Sequence, residues 1–298
     1  MTAMLEETTV VPTSVGDLRA LVHVPDLPGP LPGLVLVDGS GDGACDDWGE
    51  WPERLARCGA VVLTHDKPGC GGSPGNWLEQ SLADRAQESL AALSVLRGHP
   101  AVAGRPVGLF GVSQGGWVSL LAASLGEPVV DFVVSVSGPG VGPADQERAR
   151  IERDLASEDL SSEDVAAGMA WIDERTRRLL AGEAVADVLA AQGEQSDRAW
   201  YPTATQYFDN LPALTFLARL IDFDPTPVLR RVQCPVLALF GSEDALVPVE
   251  ESVVAYATHL PRLPGLAVFP GADHGLFTAD EQLAAGFLPM VTGFLARA

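Results

Sequence analysis

Lysine is nearly absent from this chain. Lys67 is the one lysine in 298 residues, and the other basic residues are arginines scattered along the sequence. With 19 basic against 40 acidic residues the formal net charge is -21, so phosphates of nucleic acid and anionic lipid should be repelled and neither is an expected partner. The scatter of the arginines also disfavours a dedicated polyphosphate or coenzyme A clamp. Cysteines are few: Cys45, Cys58, Cys70 and Cys234 show no C-x-x-C spacing and no paired histidines, so no metal is expected. No apolar run approaches a membrane span, and residues 1–10 are acidic and polar where a signal peptide would be basic and then apolar. A soluble cytoplasmic protein, monomeric or homodimeric and without a cofactor, is the expectation. The glycines of residues 69–72 are too irregular for a Walker A loop.

What is present suits one large α/β domain with an insertion, since 47% of the chain is hydrophobic. Short runs rich in Val and Leu predict eight strands: Thr8 to Val11, Leu18 to Val24, Gly33 to Val37, Ala60 to Thr64, Pro106 to Phe110, Val129 to Val136, Val236 to Phe240 and Leu266 to Phe269. Between them lie helix-like segments such as Leu78 to Arg97, where Leu82, Ala86, Leu90 and Leu93 share a face. That alternation builds a mostly parallel sheet covered by helices on both sides, with ligands beyond the carboxyl ends of the strands. The rhythm breaks from Pro143 to Arg231, where no strand signal occurs. This stretch is read as a helical cap of residues 143–231 inserted into a core of 1–142 and 232–298. Its helix over Ser161 to Leu180 carries an apolar stripe of Val165, Met169, Ile172 and Leu179.

Three loops carry chemistry. Gly111-Val112-Ser113-Gln114-Gly115-Gly116 follows an apolar strand and precedes a helix-like run, the setting in which a serine sits on a sharp turn with Oγ exposed as a nucleophile. A hydroxyl needs a base at neutral pH, and His274, in Asp273-His274-Gly275 after the last strand, fits that role, whereas His23, His99 and His259 read as ordinary packing or surface residues. Its neighbour Asp273 reads as a loop residue. An acid to orient the imidazole stands in Gly241-Ser242-Glu243-Asp244, with Glu243 and Asp244 the two choices.

These motifs, in the order Ser, Asp, His and each after a strand, resemble those of the α/β-hydrolase superfamily. Asp38-Gly39-Ser40-Gly41 and the turn from His65 to Ser73 add to the resemblance, which covers most of the chain. It implies an α/β-hydrolase fold and, from Gly241 and the later Val247-Pro248, selects Asp244 over Glu243. It implies an oxyanion hole from the backbone N–H groups of Ser40 and Gln114, with Gly39 lining the substrate side. It also implies a cap folded over the catalytic edge, bringing Trp171, Trp200 and Tyr207 near substrate. The turn from His65 reads as architectural. The sequence departs from the family at Asp38, where most members carry histidine. An ionised carboxylate about 7 Å from the oxyanion would oppose it by roughly 2 kcal/mol at an effective dielectric near 20. Asp38 should therefore be neutralised or turned away, or the chemistry is unusual.

The resemblance implies a serine hydrolase acting on a carboxylic ester or thioester of a small apolar metabolite through an acyl-enzyme. The alternative uses the same triad to eliminate an acyl group, similar to some members acting on acetylated spirotetronate intermediates. The use of Arg, Ala, Gly and Pro over Lys, together with Asp38, suggests a bacterial secondary-metabolite setting. A ligand-binding protein retaining a hydrolase pocket is the third class.

Overall fold

Strands form where β-branched residues and leucines cluster between turn residues, and their burial separates edge from centre. In this computed structural model, which describes residues 4–297, eight strands make one sheet in the order β1-β2-β4-β3-β5-β6-β7-β8. They are β1 (Met4–Thr13), β2 (Gly16–Pro25), β3 (Gly33–Val37), β4 (Val61–His65), β5 (Val107–Val112), β6 (Val133–Val136), β7 (Val236–Gly241) and β8 (Gly265–Phe269). β1 and β2 form an antiparallel hairpin and β2 pairs antiparallel with β4, while every later pairing is parallel. β3 to β7 are apolar and buried because helices cover both faces.

The helices are α1 (Trp51–Arg57), α2 (Leu82–Arg97), α3 (Gln114–Leu125), α4 (Pro143–Ser157), α5 (Ser162–Leu180), α6 (Val185–Gly193), α7 (Tyr201–Thr205), α8 (Leu211–Leu220), α9 (Thr226–Arg231), α10 (Val249–His259) and α11 (Phe287–Leu295). One core joins the sheet to α2, α3, α9 and α10 through residues such as Leu93, Trp117, Leu229 and Tyr256. The opposite core joins it to α1 and α11 through Leu55, Phe287 and Val291. No helix among the described residues is long and apolar enough to cross a membrane.

The three largest differences from the sequence expectation each have a local reason. β1 extends well beyond Thr8 to Val11 because its polar, exposed residues pair one for one with β2, so pairing and not hydrophobicity sets its length. β6 begins at Val133 and not at Val129. Asp131 Oδ2 accepts from the Val107 N–H at 2.8 Å and from Arg97 at 2.8 Å, which holds the preceding residues outside the regular ladder. α2 begins at Leu82, since the Ser81 hydroxyl caps the Asp84 N–H at 3.1 Å and Asp84 returns a bond to the Ser81 N–H at 2.8 Å. Trp77–Glu79 is instead a short 3₁₀ turn capped by Asn76.

The stretch between β6 and β7 is helical throughout, α4 to α9, and carries two small cores of its own. Met169 and Ile172 of the expected stripe pack with Ile151, Leu155 and Trp200, and Leu179 packs with Val188 and Leu214. The stripe thus faces neighbouring helices of the insertion. Trp200 is 2% exposed and lies inside the same cluster, while Tyr207 is 55% exposed with the Arg150 guanidinium 4.5 Å from its ring centre. Trp200 is thus packed inside the insertion and Tyr207 stands at its surface. Trp171 is half-buried at the edge of this cluster.

The two aromatics should therefore separate on truncation. Trp200→Ala removes a fully packed indole and should lower stability by about 3–5 kcal/mol. Tyr207→Ala should stay within about 1 kcal/mol, the range of an exposed cation–π contact. Thermal or urea unfolding of the two variants measures the difference.

Candidate active site

Ser113 sits between β5 and α3 with φ 55° and ψ -122°, a backbone conformation that costs a non-glycine residue about 1–3 kcal/mol. Close packing fixes this turn: a Cβ at Gly115 would run into the carbonyl oxygens of Val37 and Asp38 at the end of β3. The Ser113 N–H donates to Val136 O at 2.9 Å, and its carbonyl accepts from Gly116 at 2.8 Å. The side chain is half-buried at the N-terminus of α3, where helix dipoles favour developing negative charge.

His274 lies on the loop after β8. Its Nδ1 is 2.8 Å from Asp244 Oδ2, and the Asp244 side chain is fully buried while the imidazole is 22% exposed. The other carboxylate oxygen, Oδ1, accepts from the N–H groups of Leu246 at 2.8 Å and Val247 at 3.0 Å. Fixed acceptors on Nδ1 leave Nε2 free to take a proton. Glu243 is exposed and its carboxylate accepts only from the hydroxyl of its neighbour Ser242, at 3.2 Å, so the imidazole's partner is Asp244. Asp273 organises the loop, its Oδ1 accepting from Gly275 and Phe277 at 2.9 Å each. Ser137, next to the Val136 that binds Ser113, donates its hydroxyl to His274 O at 2.8 Å. The ends of β5 and β6 and the histidine loop are thereby tied into one edge.

Gly39 closes the other side. A Cβ there would stand 3.2 Å from Ser113 Cβ and 3.7 Å from its Oγ, so the loop after β3 approaches the serine directly. Ser40 is exposed, and Gln114 is the first residue of α3 with its side chain buried. Neither N–H has a hydrogen-bond partner among the described residues. Asp38 is turned toward Gly43 and the Lys67 side chain, its Oδ2 standing where a Gly43 Cβ would be. Burial raises the Asp38 pKa, opposed by the charges of Lys67, Arg85 and His65. The carboxylate that the sequence sets beside the oxyanion loop is thus turned toward Gly43 and the stem of the buried Lys67.

A cavity of about 250 Å³ adjoins this edge, lined by Asp38, Trp48, Trp51, Val112, Gly275 and Phe277 among others. Its aromatic walls come from α1, the loop before it, Phe110 of β5 and the histidine loop, not from the insertion. Sequence reading passed over these residues because Trp48 and Trp51 follow no motif. The insertion does reach the site from another side: Phe216 of α8 stacks edge-on against Trp77 with centroids 5.0 Å apart, and Trp77 Nε1 donates to Asp42 Oδ1 at 2.6 Å.

Comparison with known proteins agrees with this architecture. Residues 31–286 match the model of the Alpha/beta hydrolase family. Acyl-coenzyme A thioesterase 1 of Rattus norvegicus is 32% identical over 124 residues, 42% of this chain and 28% of that protein. The Mus musculus protein of the same name is similar over the same proportions. The chain thus spans less than a third of the length of the curated relatives it matches. Among solved structures, the alpha/beta hydrolase GrgF from Penicillium sp. sh18 superposes with TM-score 0.65 at 19% identity, covering 98% of both chains. The esterase PF2001 of Pyrococcus furiosus gives TM-score 0.64 at 16% identity, covering 99% of this chain and 91% of that one. With the family model spanning most of its length, this chain belongs to the alpha/beta hydrolase family.

Proposed function

We propose that this protein is a serine hydrolase that cleaves a carboxylic ester or thioester of a small apolar metabolite, with Ser113 as nucleophile, His274 as base and Asp244 as the orienting acid. The contact of 2.8 Å between His274 Nδ1 and the buried Asp244 carboxylate, on the strand edge that presents Ser113, carries the reading. In acylation, Ser113 Oγ attacks the carbonyl carbon while its proton passes to His274 Nε2. The tetrahedral oxyanion is received by the N–H groups of Ser40 and Gln114, and collapse expels the alcohol or thiol with the proton from His274. Water then repeats the sequence on the acyl-enzyme, releasing the acid and free Ser113. The insertion of residues 143–231 acts as a cap in this reading, in contact with the oxyanion loop through Phe216 and Trp77. The acyl group is assigned to the cavity walled by Trp48, Trp51 and Phe277. Matches to thioesterases and an esterase support the bond class.

The orientation of Asp38 toward Gly43 and the Lys67 stem supports ordinary acyl transfer over elimination, because the charges of Lys67 and Arg85 partly offset the carboxylate at its own loop. Product mass tests this. Incubation with p-nitrophenyl acetate, an acyl thioester and an O-acetylated alcohol should give the acid together with the intact alcohol or thiol. Acetate accompanied by an alkene lighter than the alcohol by one water would make the reaction an elimination.

A further inference from the structure

The single lysine of the chain is buried, and it is aimed at the loop that carries Ser40. Lys67 is 2% exposed, and its Nζ donates to the carbonyl oxygens of Gly39 at 2.7 Å and Gly41 at 2.6 Å. The wholly buried Arg85 of α2 meets the same loop, with Nη2 donating to Asp38 O at 2.8 Å and Nη1 to Gly39 O at 3.3 Å. Nη1 also donates to the side-chain oxygen of Gln114. A trans peptide sets its C=O and N–H in opposite directions. With Gly39 O drawn to both cations, the Ser40 N–H of the same peptide is turned away from them. Trp77 covers the ammonium with its ring centre 5.4 Å from Nζ.

Resting on the assignment of Ser113 as nucleophile, we infer that Lys67 and Arg85 are positioning residues that clamp the loop after β3 to the start of α3 and so hold the oxyanion-binding N–H of Ser40 in its working direction. Neither touches the reacting atoms in this scheme. A Lys67 ammonium also offsets the Asp38 carboxylate, which would otherwise oppose the oxyanion. The groups facing Lys67 are Asp38 from the oxyanion loop, Arg85 and Glu88 from α2 and Cys70 from its own turn. Burial first, and then Arg85, lowers its pKa from 10.5 to about 8. Above that pH the charge is lost and the clamp weakens. Stability moves the other way: between about 8 and 10.5 the unfolded chain binds the proton that the folded chain has released, so the contribution of Lys67 to folding rises there while activity falls. A merely structural lysine would not separate the two.

The experiment follows the rate at which a fluorophosphonate labels Ser113, read by mass spectrometry of the Ser113 peptide, for wild type, Lys67→Met and Lys67→Arg from about pH 6 to 10, with the melting temperature of each. The phosphonyl oxygen demands the same donors as an acyl oxyanion. Wild-type labelling should rise through neutrality and fall severalfold above pH of about 8. Folded Lys67→Met should label about 100-fold more slowly, and Lys67→Arg should keep a substantial rate without the descending limb. Labelling of Lys67→Met at the wild-type rate, or a wild-type plateau extending to pH of about 10, overturns the clamp; the second outcome needs no variant to fold. Absence of labelling at Ser113 in the wild type would instead overturn the nucleophile assignment itself.

Discussion

Replacing Ser113 by alanine should lower kcat by about 10⁴-fold or more while leaving the melting temperature close to that of the wild type. The two halves of this expectation have separate origins. The loss follows from removing the atom that forms the covalent bond, and the residual rate is that of positioning and oxyanion binding alone. Preservation of the fold follows from the structure, since Ser113 Oγ makes no hydrogen bond among the described residues and alanine at φ 55° bears nearly the same strain as serine. Steady-state kinetics on p-nitrophenyl acetate together with thermal unfolding measures both. Wild-type-like turnover by the variant would remove Ser113 from the chemistry.

The second large effect is expected at Asp244. Changing it to asparagine keeps the size but offers the imidazole an amide, which favours the tautomer with the proton on Nε2 and so blocks proton removal from Ser113. A loss of about 10³–10⁴-fold in kcat with little change in KM is expected. Glu243→Gln, one residue away and exposed, should change kcat by less than about threefold. Because Asp244 Oδ1 also accepts from Leu246 and Val247, the variant should lose some stability too. A reversed ranking of the two variants would move the acid to Glu243.

What the sequence made legible was local. Ser113 stands between an apolar strand and a helix within six residues, and Gly241 to Asp244 and Asp273 to Gly275 each announce a loop after a strand, so the order of the edge follows from the chain itself. The strands of the buried sheet were legible for the same reason: a continuous run of Val and Leu has few other uses. Direction in space was not. Trp171, Trp200 and Tyr207 share one composition signal, yet one is half-buried, one wholly buried and one exposed, because packing among α4, α5 and α7 decides which face is turned inward. Long-range pinning was hidden as well. Lys67 and Arg85 reach Gly39 across 28 and 46 residues, a relation no short window contains. A signal did exist: Arg85 falls beside Leu82 and Ala86 on the apolar face of α2, where an arginine must find acceptors, and Lys67 is the one lysine of a chain that otherwise uses arginine.

The Asp38 departure shows how one side chain changes meaning once its neighbours are known. Beside an oxyanion it opposes catalysis; near the buried Lys67 and Arg85 its charge is partly offset. The same carboxylate also helps keep the ammonium charged near neutrality, since burial alone would drive its pKa lower still.

The acyl-enzyme is the point on which everything else rests, and it can be seen directly. Wild-type protein turning over an acyl thioester is quenched in acid within the first turnovers, digested, and its peptides weighed. The account predicts the mass of the acyl group on the peptide containing Ser113, absent from Ser113→Ala and lost again on returning the protein to neutral buffer. Acid and thiol formed at full rate with no acyl group on that peptide, or with the group on another residue, would contradict it.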